Sequence, residues 1–228
     1  MSSATGFQPV QRESTSAQIT RQLREGIMYG RLPAGAQLSE AGLAAEFGVS
    51  RGPLREAMQR LVQEGLVRSE LNRGLFVKEL DEDEIRDIYL TRTAIETAAA
   101  RALAHSDSAE AAAQKLRERA GVMAAAAKSG DLKALADADF AFHEELVSLA
   151  GSPRLHRVHE TLMVETRMCM TALQGTYFDA EAQVAEHTRI ADAVASGDDA
   201  VLQQEIQEHM QEALDRLIRA DPAQPKAQ

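Results

Sequence analysis

Four residues in the second half of the chain have the types and the spacing of metal ligands. Asp139 and His143 are four residues apart and therefore share one face of a helix. His187 and His209 lie on either side of the turn signal Ser196-Gly197-Asp198, so a helical hairpin would bring them to one level. One carboxylate and three imidazoles that converge would bind a divalent transition metal. The spacing alone leaves a second interpretation open, since most Asp-x-x-x-His pairs are polar residues of a helix surface.

Arginines in the first half of the chain have a spacing that suits nucleic-acid contacts. Arg51 and Arg55 project from one face of a predicted helix, and Arg73 lies at the tip of a predicted hairpin. Such a helix can enter the major groove, and a hairpin arginine can reach phosphates or the minor groove. From these residues alone, ordinary solvated arginines are an equally good interpretation.

The elements that must position these arginines form a predicted winged helix-turn-helix over residues 16–78. Ser39 and Ser50 are suitable N-caps, and Gly48 and Gly65 end the helices that follow them. The turn Asn72-Arg73-Gly74 fits a hairpin, because Asn and Gly accept positive φ. The predicted helices span residues 16–29, 39–47 and 50–64, and the predicted strands span residues 66–69 and 75–78.

The elements that must position the histidines are all helical. The second predicted domain spans residues 79–220. Positions 83–219 carry no strand signal, and clusters of Gly, Ser, Asp and Pro divide them into six helical segments. The segments span about 83–104, 108–128, 131–150, 154–173, 179–196 and 198–219. Short links between them predict an antiparallel six-helix bundle, so the fold is mainly α. The ends of the chain, residues 1–15 and 221–228, are predicted to be disordered tails.

The first predicted domain resembles the DNA-binding domain of the GntR family of bacterial regulators. The residues that carry the resemblance are Arg31-Leu32-Pro33-Ala34-Gly35, Leu38-Ser39-Glu40, Gly48-Val49-Ser50-Arg51-Gly52-Pro53-Leu54-Arg55-Glu56-Ala57-Met58 and Asn72-Arg73-Gly74-Leu75-Phe76-Val77. The resemblance implies that Arg51 and Arg55 contact bases or phosphates, with Ser50 near the DNA backbone and the wing residues Arg73 and Gly74 close to DNA. Ala41 and Gly52 depart from the family pattern, where a basic and a hydroxyl residue are usual. The operator sequence therefore does not carry over from any relative.

The second predicted domain resembles the FCD ligand-binding domain of the FadR branch of that family, and is closer to its VanR-type subgroup. The matching stretches are Asp139-Phe140-Ala141-Phe142-His143, Ala150-Gly151-Ser152-Pro153-Arg154-Leu155, Glu186-His187-Thr188-Arg189-Ile190 and His209-Met210. The resemblance implies that Asp139, His143, His187 and His209 bind a divalent metal, with zinc as the first expectation and nickel, manganese or iron as alternatives. It also implies that a small carboxylate effector completes the metal shell. Ser152-Pro153 departs from the pattern, where Asn is frequent.

Several further residues have a predicted role. The run Arg92-Thr93-Ala94-Ile95-Glu96 resembles the family pattern and suggests Arg92 as an effector-binding residue, whereas a surface pair of Arg92 with Glu96 is an equal alternative. Arg167 is a second effector candidate with less support. We expect His156 and His159 to face solvent, and we expect the lone Cys169 to be a core thiol.

Composition limits the classes of function. The net charge is −10, but residues 1–78 carry 10 lysines and arginines against 7 acidic residues, while residues 79–228 carry 15 against 28. This asymmetry suggests a polyanion-binding segment joined to a different domain. The single cysteine, the absence of a signal-peptide pattern and the absence of a long apolar run indicate a cytoplasmic protein that does not bind membranes.

The sequence therefore predicts a transcriptional regulator, a repressor by the family's usual mode. A homodimer would bind double-stranded operator DNA, and a small carboxylate effector bound at or near the metal would change operator affinity. A regulator that responds to the metal alone is an alternative. A metal-dependent hydrolase is a weaker one, because no HExxH-type glutamate supplies a general base and hydrolysis needs no DNA-binding domain.

Overall fold

The computed structural model describes residues 13–172 and 179–220. The helices are α1 (Thr15–Met28), α2 (Glu40–Phe47), α3 (Arg51–Gln63), α4 (Glu82–Ala104), α5 (Ala109–Ser129), α6 (Leu132–Leu149), α7 (Pro153–Ala172), α8 (Ala180–Ser196) and α9 (Asp199–Ala220), and the strands are β1 (Gln37–Leu38), β2 (Val67–Glu70) and β3 (Gly74–Val77). The chain divides between Glu79 and Leu80 into two compact units. The fold is mainly α, as predicted.

The first unit is a helix-turn-helix with a three-stranded sheet. The strands follow the order β1-β3-β2 and pair antiparallel, with Val67 opposite Val77 and Glu70 opposite Gly74. The turn between β2 and β3 uses positive φ at Asn72 (60°) and Gly74 (105°), as the sequence predicted. Strand β1 was not predicted, because two residues carry no detectable alternation pattern.

The helices of this unit are placed by caps and by a shared core. The Ser39 hydroxyl accepts a hydrogen bond from the Gly42 amide at the start of α2, and Gly48 ends that helix with a φ of 64°. Ser50 occupies the N-cap position of α3, but its side chain makes no capping hydrogen bond, contrary to the prediction. The core of the unit is formed by fully buried side chains that include Leu23, Leu54, Met58, Leu61 and Leu66. Burial of one such side chain stabilises the fold by about 1.5–3 kcal/mol.

The second unit contains the six predicted helices, with bounds within two residues of those expected. Helix α5 packs against α6 and α8, and α4 packs against α6, α7 and α9. A capping box between Asp81 and Glu84 starts α4. The left-handed glycines Gly130 and Gly197 end α5 and α8. The apolar core around Leu116, Met123 and Phe142 holds these helices together.

The ends of the described chain and the hydropathy of its helices complete the description of the fold. Of the predicted tails 1–15 and 221–228, residues 1–12 and 221–228 lie outside the described residues, as do residues 173–178 at the junction of the fourth and fifth predicted helices of the second domain. Helix α1 begins at Thr15 with Ser14 as its N-cap, so the described chain is ordered slightly before the predicted start. In the described part of the chain, none of the helices combines the length and the hydropathy that a bilayer-spanning segment requires.

Candidate functional site

The four predicted metal ligands come together inside the helical unit. Asp139 and His143 lie on α6, His187 on α8 and His209 on α9, and all four are buried. His143 Nε2 lies 3.2 Å from His187 Nε2 and 3.3 Å from His209 Nε2. Asp139 Oδ1 lies 3.1 Å from His187 Nε2. One nitrogen from each histidine falls within a space 4.8 Å across, which is the size of a coordination sphere around one cation.

The second ring nitrogen of each histidine is held by an acceptor. His143 Nδ1 donates to Glu96 Oε2 at 2.6 Å, and His209 Nδ1 donates to Glu186 Oε2 at 2.8 Å. His187 Nδ1 donates to the Gln183 carbonyl oxygen at 2.7 Å. Since a neutral imidazole carries one proton, these bonds place it on Nδ1 and leave Nε2 as a lone-pair donor. Three such lone pairs facing one another have no proton between them, so this donor set fits a metal cation.

The electrostatics favour the metal-binding protonation states. Burial lowers the pKa of His209 to about 3, and the neighbouring His187 acts in the same direction. Burial also lowers the pKa of His143 below its usual value. Burial by itself would raise the pKa of Asp139, but the neighbouring histidines, His187 first, outweigh it and the pKa is lowered. At neutral pH, His143 and His209 are therefore neutral imidazoles and Asp139 is an ionised carboxylate, the forms that bind metals.

Asp139 is fixed by a glutamine that sequence analysis did not single out. Gln183 Nε2 on α8 donates to Asp139 Oδ1 at 2.8 Å. The amide oxygen of Gln183 is buried and has no hydrogen-bond partner among the described residues. A buried acceptor of this kind is costly unless a further donor reaches it. Gln183 stands four positions before His187, and this spacing on one helix face is the signal that could have indicated it.

The pair of Arg92 and Glu96 is buried, so the surface-pair interpretation is wrong. The two side chains are 3% and 1% exposed, and Arg92 Nε donates to Glu96 Oε1 at 3.0 Å. The Arg92 guanidinium lies over the ring of Tyr89 at 5.1 Å, and its Nη2 is buried without a hydrogen-bond partner among the described residues. Burial opposes the charge of Arg92, but Glu96 and other nearby groups raise its pKa above the usual value. A charged donor with unused hydrogen-bonding capacity is therefore present in the interior.

His159 is also buried, which corrects the expectation that it faces solvent. Its side chain is 1% exposed, and its Nε2 donates to Glu96 Oε1 at 3.1 Å. The reason is that Glu96, buried on α4, needs several donors to offset its desolvation. His156, three positions earlier, has a side chain 43% exposed, in agreement with the expectation for that residue. Cys169 is buried, as predicted.

Arg167 engages the start of α6. Its guanidinium donates to the Ala136 carbonyl oxygen at 2.6 Å and to the Asp137 carboxylate. These bonds connect α7 to α6 close to Asp139. The predicted effector role of Arg167 stays a prediction, and its guanidinium is already partly engaged by these protein acceptors.

The predicted DNA-contacting residues lie on the surface of the first unit. Arg51 and Arg55 are exposed in the first turns of α3, beside the exposed N-cap residue Ser50. Arg55 Nε donates to Glu40 Oε2 at 2.8 Å. Such a helix can place guanidinium groups against base edges.

The wing carries a second basic position. The Arg73 side chain is 70% exposed, forms an ion pair with Glu70 and lies over the Phe76 ring at 5.3 Å. Gln37 Nε2 donates to the Arg73 carbonyl oxygen at 2.6 Å and so fixes the turn that precedes Gly74. A guanidinium held at the tip of a hairpin can reach a phosphate or the minor groove.

A winged helix-turn-helix with exposed arginines, joined to a helical domain with a buried cluster of histidines, defines a DNA-binding regulator with a second, helical domain. Comparison with known families agrees: residues 15–77 match the gntR family of bacterial regulatory proteins, and residues 87–212 match the FCD domain. The chain belongs to the GntR family of transcriptional regulators and carries an FCD domain. It is a regulator and not an enzyme.

Relatives with repressor names share most of the chain. It is 30% identical to the "Probable D-xylose utilization operon transcriptional repressor" of Paenarthrobacter nicotinovorans, over 87% of this chain and 90% of the relative. It is 27% identical to the gluconate operon transcriptional repressor of Bacillus subtilis, over 90% of this chain and 86% of the relative. The chain is also similar to a solved structure of a GntR transcriptional regulator from Rhodococcus sp. RHA1, with 27% identity and a TM-score of 0.76. The alignment covers 91% of this chain and 99% of that structure. The likeness to the VanR-type subgroup stays a prediction.

Proposed function

We propose that the protein is a repressor whose affinity for operator DNA is controlled by a small carboxylate effector bound at or near a divalent metal. The DNA-binding domain spans residues 16–78 and the metal- and effector-binding domain spans residues 79–220. The repressor mode is supported by the names of the relatives in xylose and gluconate operons. Zinc is the metal expected first, with nickel, manganese or iron as alternatives, because imidazole and carboxylate ligands suit all four.

The observation that carries this proposal is the convergence of three Nε2 atoms whose Nδ1 partners are all occupied. His143, His187 and His209 would hold the metal, with Asp139 as the fourth protein ligand. The bound metal would supply a positively charged centre with room for an exchangeable ligand. The protein's part is to keep the imidazoles neutral and oriented in a buried site.

A carboxylate is the effector class that suits the charges around this centre. The ionised side chains of Asp139, Glu96 and Glu186 are opposed by Arg92 and Arg216. Together these three carboxylates and two guanidinium groups carry a net charge of −1. A divalent cation would bring the net charge to +1, and a bound monoanion would neutralise it. The unpartnered Arg92 Nη2 offers that anion a charge-assisted hydrogen bond.

The DNA-binding surface would be used twice in a homodimer. Two recognition helices would enter successive major grooves of a two-fold operator, with Arg51 and Arg55 at bases or phosphates and Ser50 near the backbone. Arg73 and Gly74 of the wing would lie beside the adjacent DNA. Effector control requires that the effector bind the DNA-competent and DNA-incompetent states with different affinities.

Metal content of the tag-free protein is the first test. We expect about one metal ion per chain in the wild type and none in His187→Ala, whereas His105→Ala, which removes an exposed histidine at the end of α4, should retain the wild-type content. A wild type that binds no divalent metal after reconstitution would refute the metal site and leave the DNA-binding assignment intact.

Operator binding measured with and without small carboxylates is the second test. Operator fragments selected from random DNA would be titrated with metal-loaded protein, by fluorescence anisotropy. A carboxylate that changes the affinity supports the proposal. Affinity that follows free metal and no carboxylate would instead indicate a regulator that responds to the metal alone.

A further inference from the structure

Glu96 lies at the centre of a buried polar network that joins three helices. Its Oε2 accepts from His143 Nδ1 on α6 at 2.6 Å. Its Oε1 accepts from Arg92 Nε on α4 at 3.0 Å and from His159 Nε2 on α7 at 3.1 Å. Both carboxylate oxygens are thus used as acceptors. Oε2 binds a proposed metal ligand, His143, and Oε1 binds the arginine whose Nη2 has no partner among the described residues.

We propose that Glu96 is a positioning residue that acts on two groups at once. It fixes the proton of His143 on Nδ1, which directs the Nε2 lone pair to the metal. It also holds the guanidinium of Arg92 through Nε, which keeps Nη2 directed to an anionic ligand. The metal ligand and the anion-binding arginine are therefore oriented by a single carboxylate. This inference rests on the proposed metal site.

Glu186 has the same arrangement at a second histidine. Its Oε2 accepts from His209 Nδ1 at 2.8 Å, and Arg216 binds the carboxylate in bidentate fashion with two contacts of 3.0 Å. Two of the three histidines are thus held by a buried glutamate that an arginine neutralises. His187 differs, because its Nδ1 donates to a backbone carbonyl that no side-chain substitution removes.

A glutamine in place of Glu96 cannot serve both sides of this network. A carboxylate has two acceptor oxygens, whereas an amide has one acceptor oxygen and one NH₂ group that only donates. The NH₂ group must face either His143 Nδ1 or the nitrogens of Arg92 and His159, all of which donate to Glu96. Either orientation places two donors against each other. The substitution therefore disturbs the site with almost no change in volume.

Metal affinity and the absorption spectrum of bound Co²⁺ test this role. The full-length Glu96→Gln and Glu186→Gln proteins would be stripped of metal and titrated with Co²⁺ and, against a chelator, with Zn²⁺. Glu205→Gln is the matched control, because Glu205 also pairs with an arginine, Arg189, and is not a hydrogen-bond partner of His143, His187 or His209. We expect Zn²⁺ affinity to fall about 10- to 100-fold in the two variants, with a changed Co²⁺ spectrum, and to stay unchanged in the control. A folded Glu96→Gln protein with wild-type affinity and a wild-type spectrum would overturn the inference.

The tautomer of His143 provides a test that needs no variant of Glu96. In metal-free wild-type protein, long-range ¹H–¹⁵N correlation of the imidazoles, with assignment from His143→Ala, should show the proton on Nδ1 of His143. A proton on Nε2 would overturn the inference even if Glu96→Gln fails to fold. Failure of the wild type to bind any metal would count against the proposed function, and it would be distinguishable because the tautomer is measured without metal.

Discussion

The Nε2 atoms of His143 and His187 lie 3.2 Å apart, although the two residues are on different helices and 44 positions apart in the chain. Each histidine already donates its Nδ1 proton to another acceptor. Two unprotonated nitrogens at this separation repel each other in a buried site, so a cation between them would make this arrangement of α6 and α8 more favourable.

Removal of the metal should therefore lower the stability of the helical domain. A ligand that binds only the folded state stabilises it by about 2.7 kcal/mol when its free concentration is 100 times Kd. For a domain of this size we expect the melting temperature to fall by about 5–10 °C after chelation, and to recover on addition of metal. Calorimetry of wild type with and without chelator measures this. In Asp139→Asn, where a ligand charge is lost, the change should be smaller.

An equal melting temperature in the presence and absence of metal would contradict this prediction. The His105→Ala protein serves as the control, since His105 pairs with Asp199 at the surface and should respond to the chelator as the wild type does.

Arg92→Lys should weaken the response to carboxylates without loss of DNA binding. A lysine retains a positive charge beside Glu96 but lacks the Nη2 group that is unpartnered in the described structure. Lysine also cannot bind a carboxylate in bidentate fashion. We expect affinity for the effector carboxylate to fall about tenfold or more, corresponding to a loss of about 1.4 kcal/mol, as measured by isothermal titration calorimetry.

The matched control is Arg189→Lys, a change of an arginine that pairs with Glu205 at the surface. Carboxylate affinity that survives in Arg92→Lys would remove Arg92 from the effector site and make Arg167 the remaining arginine candidate.

Arg55→Ala should weaken operator binding by about 1–3 kcal/mol, because an arginine that contacts a base contributes that amount. Folding should be little affected, since the only ion pair lost among the described contacts is the exposed one with Glu40, and exposed pairs contribute little to stability. Arg21→Ala, which removes an exposed arginine of α1 paired with Glu13, is the control. Anisotropy titrations in which both variants bind DNA as the wild type does would argue against α3 as the recognition helix.

Cys169 should resist alkylation in the folded protein. Its side chain is buried on α7, and burial raises the pKa of the thiol to about 12. Because the thiolate is the reactive form, iodoacetamide at pH 8 should modify the native protein far more slowly than the guanidinium-unfolded protein. Mass spectrometry over time measures both rates. Rapid modification of the native chain would show that this part of α7 opens readily.

The sequence determined the helices and the candidate DNA- and metal-binding residues to the extent that local signals specify them. Some features depend on neighbouring residues only and lie where they were expected. They are the helix ends at Gly48 and Gly197, the Ser39 N-cap and the turn from Asn72 to Gly74. The spacing of Asp139 and His143 likewise follows from the pitch of one helix. The strand β1 was not predicted, because it is defined only by its pairing with β3.

Burial of charged groups was decided by the tertiary structure. A pair four residues apart, such as Arg92 and Glu96, has the same sequence spacing at a surface and in a core, and His159 has no local signal that distinguishes the two. Only the packing of α4 against α6 and α7 places Glu96 between His143, His159 and Arg92. Helix periodicity fixes which residues share a face, but which face is buried, and which charges meet there, depends on contacts between segments distant in the chain, because desolvation is a property of the assembled core.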